Sequence, residues 1–271
     1  MYSSIKYIFI TILFAGLISC EEIINLDLDE IEPRLVIDAS ITEGQECLVS
    51  LSMTRDFRED WSLDGVDGAT IILSDNKDNQ ETVSNTSRTS GLYVLPIRGE
   101  VGVEYTLRVI LDGKEYEAKA TIPPAIEIDS IYIYNIQPGK DPWYSPCIVF
   151  QAPPGVDNYY HPLVYINNDL LRTIYYSDDE YGYGLEVHDI LEFDKDSYND
   201  MDLEIGDHIM IDFQAIDKGT YTFYRTANSF ASGTNPVSNF SRDVLECFKA
   251  YNTTIKETVI TEDIIYTPPK K

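Results

Sequence analysis

The sequence predicts a mostly β protein: an Ig-like β-sandwich at residues 35–123, then a second β-rich domain with one helix at 124–267. Three observations predict it. Apolar residues alternate at period two in short runs, the signature of half-buried strands. Turn residues separate those runs at sandwich-like spacing. Pro123-Pro124 then interrupts the pattern, because proline cannot continue a ladder and biases its predecessor towards extended backbone.

Residues 1–19 read as a lipoprotein signal peptide. Lys6 is their only charge, and Tyr7 to Gly16 is an apolar run of secretory length, too short for a bilayer span of ~20 residues. The run closes on Leu17-Ile18-Ser19-Cys20, which resembles the bacterial lipobox and makes Cys20 the expected lipidation site. Ile18 is larger than the small residue usual there. Several acyl chains at ~0.8 kcal/mol per buried CH₂ give lasting membrane attachment. Residues 20–34 follow as an acidic tether, with Pro33 and one basic residue arguing against a stable helix.

Strand-like runs of the first half are Leu35-Val36-Ile37 with Ile41, Leu48–Leu51, Ala69–Leu73, Glu81–Val83, Leu92–Leu95, Tyr105–Leu111 and Tyr116–Ile122. Asp112-Gly113 lies between two of them, as a two-residue hairpin with positive φ requires. The second half offers Ile126–Tyr134, Ile148–Phe150, Leu163–Ile166, Leu170–Tyr176, His208–Ile216, Leu245–Tyr251 and Glu257–Ile265. The helix is expected near 218–232. Asp217 is its N-cap, Phe223, Ala227 and Phe230 form one apolar stripe, and Gly233 stands past its end. A fragment of residues 30–124 is expected to fold alone.

Charge excludes whole classes of function. Forty-six Asp+Glu face 20 Lys+Arg, a formal charge of −26, and without Lys6 the mature chain carries −27. Such a field repels nucleic acid and excludes docking by a basic patch on anionic lipid. Twenty Tyr and 10 Phe supply ample surface to bury, which excludes a disordered acidic tail.

The landmarks together resemble a family of Bacteroidota outer-membrane lipoproteins known as domain of unknown function 4249. The matching residues are the lipobox at Cys20, Pro33-Arg34-Leu35-Val36-Ile37 with Ile41-Thr42, Gly68-Ala69, Gly91-Leu92-Tyr93, and Gly102 with Tyr105. They continue with Ile128-Asp129-Ser130-Ile131, Thr220–Arg225, Asn235-Pro236-Val237-Ser238-Asn239 and Phe248–Tyr251. Asp38 stands where glycine is usual, and Phe240-Ser241-Arg242-Asp243 replaces a glycine-rich turn. The Gly-Ala and Gly-Leu-Tyr signatures also resemble transthyretin-like sandwiches. The resemblance implies a lipid-anchored outer-membrane protein facing the cell surface, with the periplasmic face as the alternative. It further implies a non-catalytic accessory or binding role in nutrient uptake, with a TonB-dependent receptor as partner. The alternative function is a structural or adhesive surface protein. No catalytic residue comes with the family.

Motifs for chemistry are sparse. His161, His188 and His208 belong to no GxSxG or HExxH pattern, and no phosphate loop is present. No cofactor is expected. Asp194, Asp196, Asp200 and Asp202 read as a solvated acidic loop, with Ca²⁺ as the alternative. The EF-hand template fails there, because Tyr198 takes the fifth position and no glycine the sixth. Of Cys47, Cys147 and Cys247 only the last two are candidates for a pair, and small buried hydrophobes are the other reading. Tyrosine is the strongest signal: 15 of the 20 lie beyond Pro123. Sheet packing accounts for many of them. Adjacent strand residues face opposite sides, so Trp143, Tyr144, Tyr159, Tyr160, Tyr176, Tyr181 and Tyr183 are the candidate ligand- or partner-binding residues.

Overall fold

The computed structural model describes residues 33–54, 65–84, 89–136, 143–179, 184–193, 202–227 and 235–269. The expected signal peptide, Cys20 and nearly all of the expected acidic tether lie outside them.

Among the described residues the first half forms seven strands: β1 (Leu35–Thr42), β2 (Glu46–Met53), β3 (Thr70–Asp75), β4 (Gln80–Val83), β5 (Leu92–Arg98), β6 (Glu104–Leu111) and β7 (Lys114–Thr121). They split into β1-β2-β5 and β4-β3-β6-β7. Period-two patterning sends Ile37, Ile41 and Leu51 from one sheet and Ile71, Leu73 and Leu107 from the other into a common core. Asp112 and Gly113 have φ of 49° and 74°, the hairpin geometry the sequence called for. At Gly91 a Cβ would stand 2.4 Å from the Leu51 carbonyl oxygen, so only glycine lets these backbones approach. Buried Tyr93 donates its hydroxyl to the Val66 carbonyl at 3.0 Å and accepts from the Ala69 N–H.

The second half supplies β8 (Ile128–Asn135), β9 (Tyr144–Gln151), β10 (Tyr159–Ile166), β11 (Asp169–Leu170), β12 (Ser177–Asp178), β13 (Glu186–Ile190), β14 (His208–Ile216), β15 (Phe248–Val259) and β16 (Ile265–Tyr266), with helix α1 (Lys218–Ala227) after β14. One small sheet runs β13-β9-β8-β16. The remaining strands run β11-β10-β14-β15, with β12 also paired to β10, and continue into β1-β2-β5, because β15 pairs in parallel with β1. A single long sheet therefore passes through both halves. Ala39 and Phe248 are register partners and both buried in the first core, which also takes Phe240, Val244 and Ala250. The second core starts at Ile126, just past Pro123-Pro124, and fills the space between β10-β14 and β8-β9.

Three expectations need correction. Leu245–Tyr251 and Glu257–Ile265 are not two separate strands: β15 joins Phe248–Tyr251 of the first to Glu257–Val259 of the second, and a 3-10 turn at Glu262–Ile264 leads to β16. The polar middle of β15 reads as a break, but Thr254 donates to the Ile126 carbonyl and Lys256 to the Ile128 and Asp129 carbonyls. Leu170–Tyr176 is not a strand: after β11 the chain runs irregularly to β12, with Ile174 exposed. Strand β13 was not expected, since its Glu186-Val187-His188-Asp189-Ile190 carries only two apolar residues.

Helix α1 starts as expected: the Asp217 carboxylate accepts from the Thr220 N–H at 2.9 Å. It lies against β10 and β15 and buries Thr220, Tyr221 and Phe223. Phe230 and Gly233 lie outside the described residues. Cys47, Cys147 and Cys247 are buried and free, so the Cys147–Cys247 pair is not formed. Burial pushes the Cys47 thiol up to about 12 and Cys147 to about 11, which leaves both protonated and unreactive at neutral pH.

Candidate binding site

Among the described residues of the second half, two clefts use the irregular stretch between β11 and β12 and its continuation. The larger, about 510 Å³, is lined by Trp143, Thr173, Ile174, Tyr175, Tyr176, Asp189, Ile190, Leu191 and Glu192. Its walls come from the stretch between β11 and β12, from the end of β13 and the residues after it, and from Trp143 just before β9. Its side chains are fixed from behind. The Trp143 indole N–H donates to the Phe193 carbonyl at 2.8 Å, and the Tyr175 hydroxyl to the Glu192 carbonyl at 3.1 Å. The Ser177 hydroxyl donates to Asp189 Oδ2 at 2.8 Å, tying β12 to β13. Trp143, Ile174 and Ile190 remain about two-fifths exposed. Burial holds the Asp189 carboxyl above the usual range, and the Ser177 hydrogen bond only partly offsets this.

The smaller cleft, about 310 Å³, has one wall on α1 and one on β10 and β12. Lys218, Tyr221, Thr222 and Arg225 face Asp157, Asn158, Tyr159, Asp178 and Asp179. The Tyr221 hydroxyl donates to Asp178 Oδ2 at 2.6 Å, and its pKa is pushed up to about 12 by burial and then by that carboxylate. The Tyr159 and Tyr221 ring centroids lie 4.8 Å apart, and Tyr176 meets Tyr221 edge-on at 5.9 Å. Tyr176 and Tyr221 thus stand between the two clefts.

The structure brings together three of the expected aromatics. Trp143 and Tyr176 line the larger cleft and Tyr159 the smaller. Tyr144 is half-buried against the second core. Tyr160 corrects the expectation: it is fully buried, with Phe150 and Phe213 rings at 4.9 and 5.2 Å, and its hydroxyl donates to Asp179. Strand alternation sends Tyr159 one way and Tyr160 the other. Tyr181, Tyr183, Asp194, Asp196 and Asp200 lie outside the described residues, and Asp202 is exposed. His161 is buried under α1, stacked on Tyr224 at 3.9 Å. His188 meets Glu186 and His208 meets Glu257 at the surface.

Sequence reasoning missed Asp189 and Glu192 of the larger cleft and the α1 wall of the smaller. Asp189 had one signal. In Val187-x-Asp189-x-Leu191 an acid interrupts a row of alternating apolar residues, which becomes visible only once β13 is recognised.

A family profile described as "Domain of unknown function (DUF4249)" matches residues 21–257. A comparison with curated proteins finds no match. Among solved structures the chain is similar to a two fibronectin type-III domain segment of chicken tenascin. Identity there is 10% and the TM-score 0.24, over 84% of this chain and 100% of that one. It is also similar to the FN1–FN3 domains of chicken CNTN1, with 11% identity and a TM-score of 0.26, over 68% of this chain and 60% of that one. The β architecture described above rests on the sheets themselves.

Proposed function

The chain belongs to the DUF4249 family, and from that premise we propose that it is a lipid-anchored, non-catalytic binding component of the cell envelope. In this reading Cys20 carries the lipid at the outer membrane, the folded part faces the cell surface, and the protein assists a TonB-dependent receptor in nutrient uptake. The lipobox supports the anchor, and the resemblance to surface lipoproteins supports the place and the partner.

One observation carries the binding role. The larger cleft presents Trp143, Ile174 and Ile190 to solvent on a framework whose polar groups are held from behind. Aromatic and aliphatic side chains set beside fixed polar groups in a cleft of this size are what small-molecule sites use.

The test is a thermal-shift ligand screen on residues 21–271, run beside the double variant Trp143→Ala/Tyr176→Ala. A ligand at 100 times its Kd stabilises by about 2.7 kcal/mol, a rise of roughly 5–10 °C for a domain of this size. The variant should keep its own melting temperature within a few degrees and lose that rise. Hits that stabilise both proteins equally would move the site elsewhere. Capture of cell-surface polymer, with no small-molecule response, would favour the adhesive role.

A further inference from the structure

The larger cleft contains an acid in an unusual position. Strand β13 pairs with β9 so that Val187 faces Phe150 and Asp189 faces Ile148, and both partners are buried in the second core. Val187 and Asp189 therefore point inward and are half-buried, and Leu191 beyond them is fully buried. An inward position at a sandwich margin ordinarily holds an apolar residue, because a desolvated carboxylate is costly without several hydrogen bonds. Among the described residues Asp189 accepts only one, from Ser177.

The donors and acceptors of the cleft are also unbalanced. Trp143 Nε1, the Tyr175 hydroxyl and the Ser177 hydroxyl each already donate to a protein oxygen. Asp189 and Glu192 bring carboxylates, and among the described residues no Lys, Arg or His lines the cavity. A polyol needs donors as well as acceptors from its site, and beyond the Thr173 and Tyr176 hydroxyls the described side chains set two carboxylates before it. An anion meets two acids. A cation with an apolar body meets a carboxylate beside aromatic and aliphatic surface, the arrangement that recognises organic ammonium groups. The formal charge of −26 draws cations towards the molecule.

We propose that this cleft binds an organic amine, its ammonium group at Asp189 and its apolar part against Trp143, Ile174 and Tyr176. The assignment rests on the binding role given above and names the ligand class for it. Ser177 is the positioning residue that aims the carboxylate. Burial of Asp189 fits the same picture, since an ammonium partner compensates the desolvation that raises its pKa.

The test uses protonated 2-phenylethylamine and its neutral counterpart 2-phenylethanol, titrated calorimetrically into residues 21–271 at pH 7.5. The amine should bind at least tenfold more tightly than the alcohol. Asp189→Asn, which keeps an oxygen for the Ser177 hydroxyl, should abolish that margin and leave the alcohol within twofold. Trp143→Ala should weaken both. Equal affinities in the native chain, or a margin that survives Asp189→Asn, overturn the ammonium assignment and leave an apolar cleft. Binding of neither probe, together with a screen in which Trp143→Ala/Tyr176→Ala changes nothing, overturns the cleft as a binding site altogether.

Discussion

Acidification should destabilise this protein through His161, by an amount the structure allows to be worked out. The ring is 4% exposed, stacks on Tyr224 with centroids 3.9 Å apart, and has Nδ1 2.6 Å from the Tyr175 carbonyl oxygen. A carbonyl only accepts, so Nδ1 carries the proton of the neutral ring. Burial first, and the nearby Lys249 ammonium second, lower the pKa from 6.5 to about 4. The folded state thus resists a proton that the unfolded chain takes up readily. The contribution is complete above pH 6.5, is lost as the pH falls from there towards 4, and changes no further below. At 1.36 kcal/mol per pKa unit the full loss is about 3 kcal/mol, of which about 2 is gone at pH 5. The assay is urea unfolding of the native chain and of His161→Asn at several pH values between 7.5 and 4.5. Asparagine retains an N–H near Nδ1 but does not titrate. Asp38, Asp189, Asp217 and Glu246, whose pKa values burial raises, act in the opposite direction in both proteins and cancel in the difference. The stability gap between native and variant should shrink by about 2 kcal/mol from pH 7.5 to 5. A gap that stays constant within about 0.5 kcal/mol would refute the buried, neutral histidine.

Other perturbations test the remaining framework. Phe223→Ala should cost ~3–5 kcal/mol in chemical denaturation, because the ring is buried beneath α1, and an unchanged midpoint would put the helix on the surface. The fragment 30–124 carries β1 to β7 without Phe240, Val244, Phe248 and Ala250, so a peptide of residues 238–252 should raise its melting temperature, and no rise would show the first half to be self-sufficient. Cys20→Ser should abolish incorporation of a fatty-acid analogue and release the protein from membranes, and labelling that persists in the variant would exclude lipidation at that residue.

The alternating runs by themselves determined most of the strands and the first sandwich core, since a period of two with one buried face leaves little freedom in register. Asp112-Gly113 and Asp217 were equally legible, because a positive-φ hairpin and a helix N-cap are local requirements met by local residues. The aromatic-rich region was legible as a region: Trp143, Tyr159 and Tyr176 do line clefts. Within it, the sequence left open which ring of each adjacent pair turns outward, and the register of β10 with β14 decided against Tyr160. The parallel pairing of β1 with β15 joins residues more than 200 positions apart, and no local pattern encodes it. That pairing alone made one sheet of the two halves and carried Phe248 into the first core. Asp189 acquired its character in the same way. On a short polar strand it reads as one acid among 46. Placed opposite Ile148, it becomes a half-buried carboxylate lining a cleft, because burial, not identity, sets the cost of its charge.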